Sequence, residues 1–262
     1  MALLKQIREV AGTLLSREIG VLTNAIAFNF LLCLFPLLVV VAALSRQLPG
    51  VGQRAATGLL LVLQELIPFG HEAMAQAVQG LAKTAAGMQA VALALIVWGS
   101  SGIFMPMEMA LHRAWGVRRN RNFLRSKIMA FVMTLAGGLL ALVSVGLTVA
   151  ARMYGHEWPL LARYGGKLSA LLLSYLLFFL IYRVVPEISV KTGTAVRAAL
   201  VAGTVWEIVK YLFVARLSRM KLEAFYGPLA FSVSLILWAY VSSLVLVLGA
   251  LVVSAGKPKA TR

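Results

Sequence analysis

The sequence predicts an all-α, polytopic integral membrane protein of about six transmembrane helices, with both termini cytoplasmic and short interfacial helices between the first span and the second. Three observations lead there. Of 262 residues, 61% are hydrophobic and only 13% are charged, against about 25% charged in a soluble domain, so a water-soluble fold of this length could not cover its apolar side chains. Uncharged stretches of membrane-spanning length recur along the chain. The basic residues favour alternate loops, as orientation in a bilayer requires.

A spanning helix needs about 20 mostly apolar residues to cross a hydrocarbon core of ~30 Å and must satisfy its backbone internally. Residues 19–44 carry no charge over 26 positions, more than the ~7–15 residues of a signal-peptide core, so they read as a retained first span of roughly 20–44. Pro36 removes one backbone bond within it. Cys33 is the single cysteine, which excludes an intrachain disulfide or a cysteine metal cluster. Residues 45–83 form the longest loop. There Met74, Val78 and Leu81 at helical spacing, with the apolar run 59–63, predict two helices lying on or dipping into the outer interface.

The second span is expected over 86–110, where Trp98-Gly-Ser-Ser-Gly102 allows close backbone approach, and the third over 128–151. The fourth, 168–185, has 15 uncharged residues and needs Arg183 to snorkel to the interface before Pro186 ends the helix. The fifth, 197–215, carries Glu207 and Lys210 near its middle, and the sixth, 227–253, lies in a 33-residue uncharged stretch. These spans form one membrane domain over residues 1–262.

The formal net charge is +16, from 25 Lys and Arg against 9 acids, all of them Glu. With the N terminus inside, fifteen basic residues fall in inside segments and nine outside, as the positive-inside rule requires. The strongest contribution is the loop 113–127, with Arg113, Arg118, Arg119, Arg121, Arg125 and Lys127 and no acid. Interleaved with Trp115 and Phe123, it resembles a phosphate-binding strip with stacking rings. A basic cytoplasmic loop that orients the protein and touches anionic headgroups is the better reading, so membrane lipids are the expected partners and nucleic acid is not.

Glu207 and Lys210 are three residues apart and share a helix face. Inserting each at mid-membrane costs about 3 kcal/mol, which turns them toward other helices or a wet cavity. They read either as a neutralising pair that fixes packing or as a polar site that binds a headgroup or ion, or changes protonation during transport. Asn24 and Asn29 on the first span are further cavity candidates, with helix-to-helix hydrogen bonding as the plainer role. Glu108 and His112 have ligand-like i,i+4 spacing but no apparent third ligand, so local ion pairs are expected and no metal or cofactor is. P-loop, dinucleotide, nucleophile-elbow and HExxH signatures are missing, and without Asp the paired-Asp centre of a nuclease cannot be assembled.

Four segments, AIAFNFLLCLFPLLVV (25–40), WGSSGIFMPMEMALHRAWGV (98–117), PEISVKTGTAVRAALVAGTVWEIVKYLF (186–213) and YGPLAFSVSLILWAYVSSLVLVLGA (226–250), together resemble the YihY/virulence factor BrkB family of bacterial inner-membrane proteins. The older label of that family is ribonuclease BN. The resemblance implies a multi-pass inner-membrane protein with six helices and cytoplasmic ends, linked to envelope integrity and virulence, with a role in lipid or small-solute transport. It supplies no catalytic residues, and ribonuclease activity is not expected. Transport or handling of a lipid or other amphipathic or anionic solute through a polar cavity is therefore the expected function. The alternative is a membrane scaffold or partner subunit that binds an envelope protein; the sequence leaves the homo-oligomeric state open.

Overall fold

The structure, a computed structural model, describes residues 2–47, 60, 63, 66–84, 89–117, 128–129, 132–133, 159–186, 190–217 and 219–255. Among them every regular element is a helix. These are α1 (Ala2–Leu14), α2 (Arg17–Gln47), α3 (His71–Thr84), α4 (Gln89–Ala114), α5 (Pro159–Val184), α6 (Thr192–Leu217), α7 (Leu222–Tyr226), a 3-10 turn (Gly227–Leu229) and α8 (Ala230–Ala255). Apart from Ile128, Met129, Val132 and Met133, the expected third span lies outside the described residues, as do Arg118, Arg119, Arg121, Arg125 and Lys127.

Among the described residues three helices are long and apolar enough to cross a membrane: α2 over Arg17–Val39, α6 over its whole length, and α8 over Ala230–Ser254. At 1.5 Å per residue, the 26 residues of α6 or α8 reach about 39 Å, longer than a ~30 Å hydrocarbon core. The structure thus shows an all-α protein built around membrane-crossing helices.

Of the expected spans, one begins far ahead of its uncharged stretch. α5 starts at Pro159, nine residues before the expected 168, which places Arg163 and Lys167 in a helix rather than a loop. The missing N–H of Pro159 costs nothing in a first helical turn, where it would have no intrahelical partner. α1 was not anticipated: its 13 residues are too short and too charged to span, and it packs against α8.

α8 is the hub. It packs on α2 and α6, while α4 lies against α2, α5 against α6, and α3 against α2. Trp238 of α8, only 1% exposed, is the largest fully buried side chain among the described residues, and its Nε1 donates to the Leu66 carbonyl at 2.7 Å. That bond ties the segment before α3 to the bundle centre. Gly70 follows at φ +66°, and a Cβ there would run into the Phe231 ring, so a glycine is required on both counts.

Candidate functional site

The site grows out of the packing of α6. Its buried residues are Ala195, Ala198, Ala199, Ala202, Gly203, Trp206 and Lys210, an i, i+3, i+4 stripe that is small at one end and bulky at the other. The small end lets neighbours approach closely, as membrane helix pairs require. The Tyr175 ring of α5 lies over Gly203, and Tyr175 Oη and Thr204 Oγ1 are 3.0 Å apart. A Cβ added at Gly249 of α8 would strike Tyr182 Oη and come within 2.8 Å of Ala202 Cβ and 2.9 Å of the Ala198 carbonyl. Helices α5, α6 and α8 therefore meet at that glycine, where Tyr182 Oη donates to the Leu246 carbonyl at 2.6 Å.

Beyond the small residues, aromatic rings run in a connected column. Trp115, just past the end of α4, meets Tyr182 edge-on at 6.3 Å, Tyr182 stacks on Phe178 at 6.2 Å, and Phe178 meets Trp206 at 5.9 Å. Trp206 then contacts Trp238 at 4.9 Å, and Trp238 contacts Phe213 at 5.0 Å. Phe69 closes the far end against Phe213 and Phe231. Such offset and edge-on pairs contribute roughly 0.5–1.5 kcal/mol each beyond their area.

Lys210 falls within this column. It is one turn beyond Trp206 and one turn before Phe213 on the same face of α6, and its side chain is only 10% exposed. Its Nζ is 3.1 Å from Oε2 of Glu207, whose side chain is 18% exposed. The other carboxylate oxygen, Oε1, is buried and has no hydrogen-bond partner among the described residues. A carboxylate has about four acceptor sites, and a buried one left unmet costs about 1–3 kcal/mol. The pair thus supplies an ammonium suited to a phosphate or carboxylate, beside an acceptor with unused capacity.

The remaining sequence candidates lie elsewhere. Asn29 donates from Nδ2 to the Ala25 carbonyl of its own helix at 2.8 Å, and its Oδ1 presses on Gly102 of α4, where any Cβ would clash. It is a packing residue between α2 and α4. Asn24 is exposed on α2, where a hydrated or headgroup-level amide needs no protein partner. Neither asparagine shares a hydrogen bond with the Glu207–Lys210 pair among the described residues, and α2 packs on α4 and α8 while α6 packs on α5 and α8.

At the end of α4, Arg113 reaches Glu18 of α2 at 3.2 Å, an ion pair between helices. Glu108 and His112 are instead buried, 4.0 Å apart. Among the described residues no three His, Cys, Asp or Glu side chains gather as a metal site. The aromatic column escaped the sequence reading. Its signal was there in part, as Phe178 and Tyr182 at i, i+4 and Trp206, Lys210 and Phe213 at i, i+4, i+7, but which helices face one another is not written in any one of them.

Comparison with known proteins agrees with this architecture. The sequence profile of the family described as virulence factor BrkB matches residues 10–260. A UPF0761 membrane protein of Rhodospirillum rubrum is 24% identical over 250 residues, 92% of this chain and 56% of that protein. One from Aeromonas salmonicida is 26% identical over 243 residues, 89% of this chain and 82% of the relative. One from Stenotrophomonas maltophilia is 30% identical over 174 residues, 64% and 39% respectively. The chain thus spans little more than half the length of the Rhodospirillum relative. No solved structure matches it. A profile match from within α1 to beyond α8, on a helical framework with membrane-crossing helices, shows that the chain belongs to the virulence factor BrkB family of membrane proteins.

Proposed function

We propose that the chain is a non-enzymatic protein of the bacterial inner membrane that transports or holds a lipid, or another amphipathic or anionic solute, at the Glu207–Lys210 pair. One observation carries this reading: a buried ammonium 3.1 Å from a largely covered carboxylate inside a membrane-crossing helix, with Glu207 Oε1 lacking a hydrogen-bond partner among the described residues. Ionisable groups in a span cost about 3 kcal/mol each, and buried inside a bundle they commonly mark solute pathways. A phosphate-bearing headgroup matches the pair. Its oxygens accept from Lys210, while its hydroxyl or amino hydrogens donate to Glu207, and its acyl chains stay in the surrounding lipid.

The test uses the full chain reconstituted into liposomes with a trace of headgroup-labelled fluorescent phospholipid. The double substitution Glu207→Gln with Lys210→Met leaves neither charge stranded, so it separates function from folding. Translocation should fall at least tenfold in a variant that melts like the parent, a loss of about 1.4 kcal/mol or more in barrier lowering. An equal rate in both removes the pair from the mechanism. If the parent moves no labelled lipid above protein-free liposomes, transport gives way to the scaffold reading.

A further inference from the structure

The segment joining α6 to α8 has properties that the Glu207–Lys210 site does not use. α6 ends at Leu217 and α8 begins at Ala230. Both helices cross the membrane, so the residues between them lie at one of its surfaces. Within six residues at the start of this segment stand Arg216, Arg219 and Lys221, all exposed. Just beyond them Phe225 is 81% exposed, Leu229 64% and Tyr226 49%. Cations followed by large apolar side chains, at the end of spanning helices, match the chemistry of the bilayer interface, where rings sit at headgroup level and cations meet phosphate.

The backbone holds this arrangement in place. Lys221 has φ +44° and Gly227 φ +51°, so left-handed residues stand on either side of α7. A glycine adopts that region freely, whereas a lysine there is strained and persists because its surroundings impose it. Between these two residues Phe225 and Tyr226 stand exposed.

We infer that residues 216–229 form a headgroup-binding collar for anionic phospholipid in the leaflet where α6 ends and α8 begins, with Arg216, Arg219 and Lys221 on the phosphates and Phe225, Tyr226 and Leu229 among the upper acyl chains. The loop charges assign this surface to the outside, where cations gain nothing from the positive-inside bias. Anionic headgroups supply the complementary charge, and the exposed rings exclude a purely aqueous partner such as a soluble anion. The collar is independent of any transport by the Glu207–Lys210 pair.

The experiment places a bimane label on Phe225→Cys in a Cys33→Ser background of the full chain, in liposomes containing lipids brominated near the top of the acyl chains. Brominated phosphatidylglycerol should quench the label more than brominated phosphatidylcholine at equal mole fraction. The excess expected is at least about fivefold, the contribution of one cation near an anionic surface. It should vanish when Arg216, Arg219 and Lys221 are all changed to Gln, and shrink in 1 M salt, where the Debye length is about 3 Å. A second reporter at Leu229→Cys guards against a local defect at residue 225. Equal quenching by both lipids at both positions overturns the headgroup preference. No quenching by either means that another protein or a second copy covers the segment, which overturns the collar.

Discussion

Lys210 takes its place from the residues one turn to either side. Trp206 and Phe213 both rest on Trp238, so the face of α6 that carries them is fixed against α8 and brings the ammonium with it. Glu207 Oε2 then lies 3.1 Å from Nζ. Removing one partner strands the other, so Lys210→Met alone should destabilise by about 3 kcal/mol, and the double substitution with Glu207→Gln by clearly less. Chemical denaturation in detergent micelles measures the difference; equal losses in the single and double variants would show that the two side chains are not coupled. The pair was legible in the sequence because both residues sit on one helix, three apart, and helix geometry alone places them together. The contacts of Asn24 and Asn29 were not, because an asparagine in a span has several ways to satisfy its amide. Asn29 uses its own backbone at Ala25, and Asn24 is exposed.

Between elements, the packing is governed by where small residues allow contact. Gly249 lies under Tyr182, Ala198 and Ala202, so Gly249→Val should separate three helices at once and cost about 2 kcal/mol through overpacking. A thermal melt in detergent checks this, and an unshifted midpoint would mean that the junction is looser than described. The Trp238 indole fastens the segment before α3 through the Leu66 carbonyl. Trp238→Phe keeps much of the ring column but leaves that carbonyl without its donor, an expected loss of about 1 kcal/mol with faster amide exchange around Ile67 to Met74. Exchange unchanged there would mean that the bond does not hold the segment. Helix positions were readable from uncharged runs, yet helix ends were not: α5 gains two turns from Pro159 onward, because charged residues near a membrane surface do not end a helix. The amphipathic α1 was missed for a similar reason, since attention to long apolar runs passes over a short helix with a polar face.

For the whole molecule, α8 stands between two halves, α2 with α4 and α5 with α6, and the charged pair lies in the second half. The membrane class was readable from composition because a chain with 13% charged residues has no other solvent. The mutual arrangement of helices was not, since apolar faces that touch lipid and apolar faces that touch protein look alike in a sequence. Orientation is a separate expectation. In a Cys33→Ser background, Arg118→Cys should resist a membrane-impermeant thiol reagent in intact cells and react after permeabilisation; labelling of intact cells would invert the topology.

The account depends most on whether a lipid headgroup reaches the buried charges of α6. A phospholipid with a photoreactive headgroup, activated in liposomes containing the full chain and followed by peptide mapping, tests this directly. Adducts on α6 between Thr204 and Tyr211, lost in the Glu207→Gln, Lys210→Met variant, are the predicted result. Adducts confined to the helix ends and unaffected by that variant would show that the pair meets only protein.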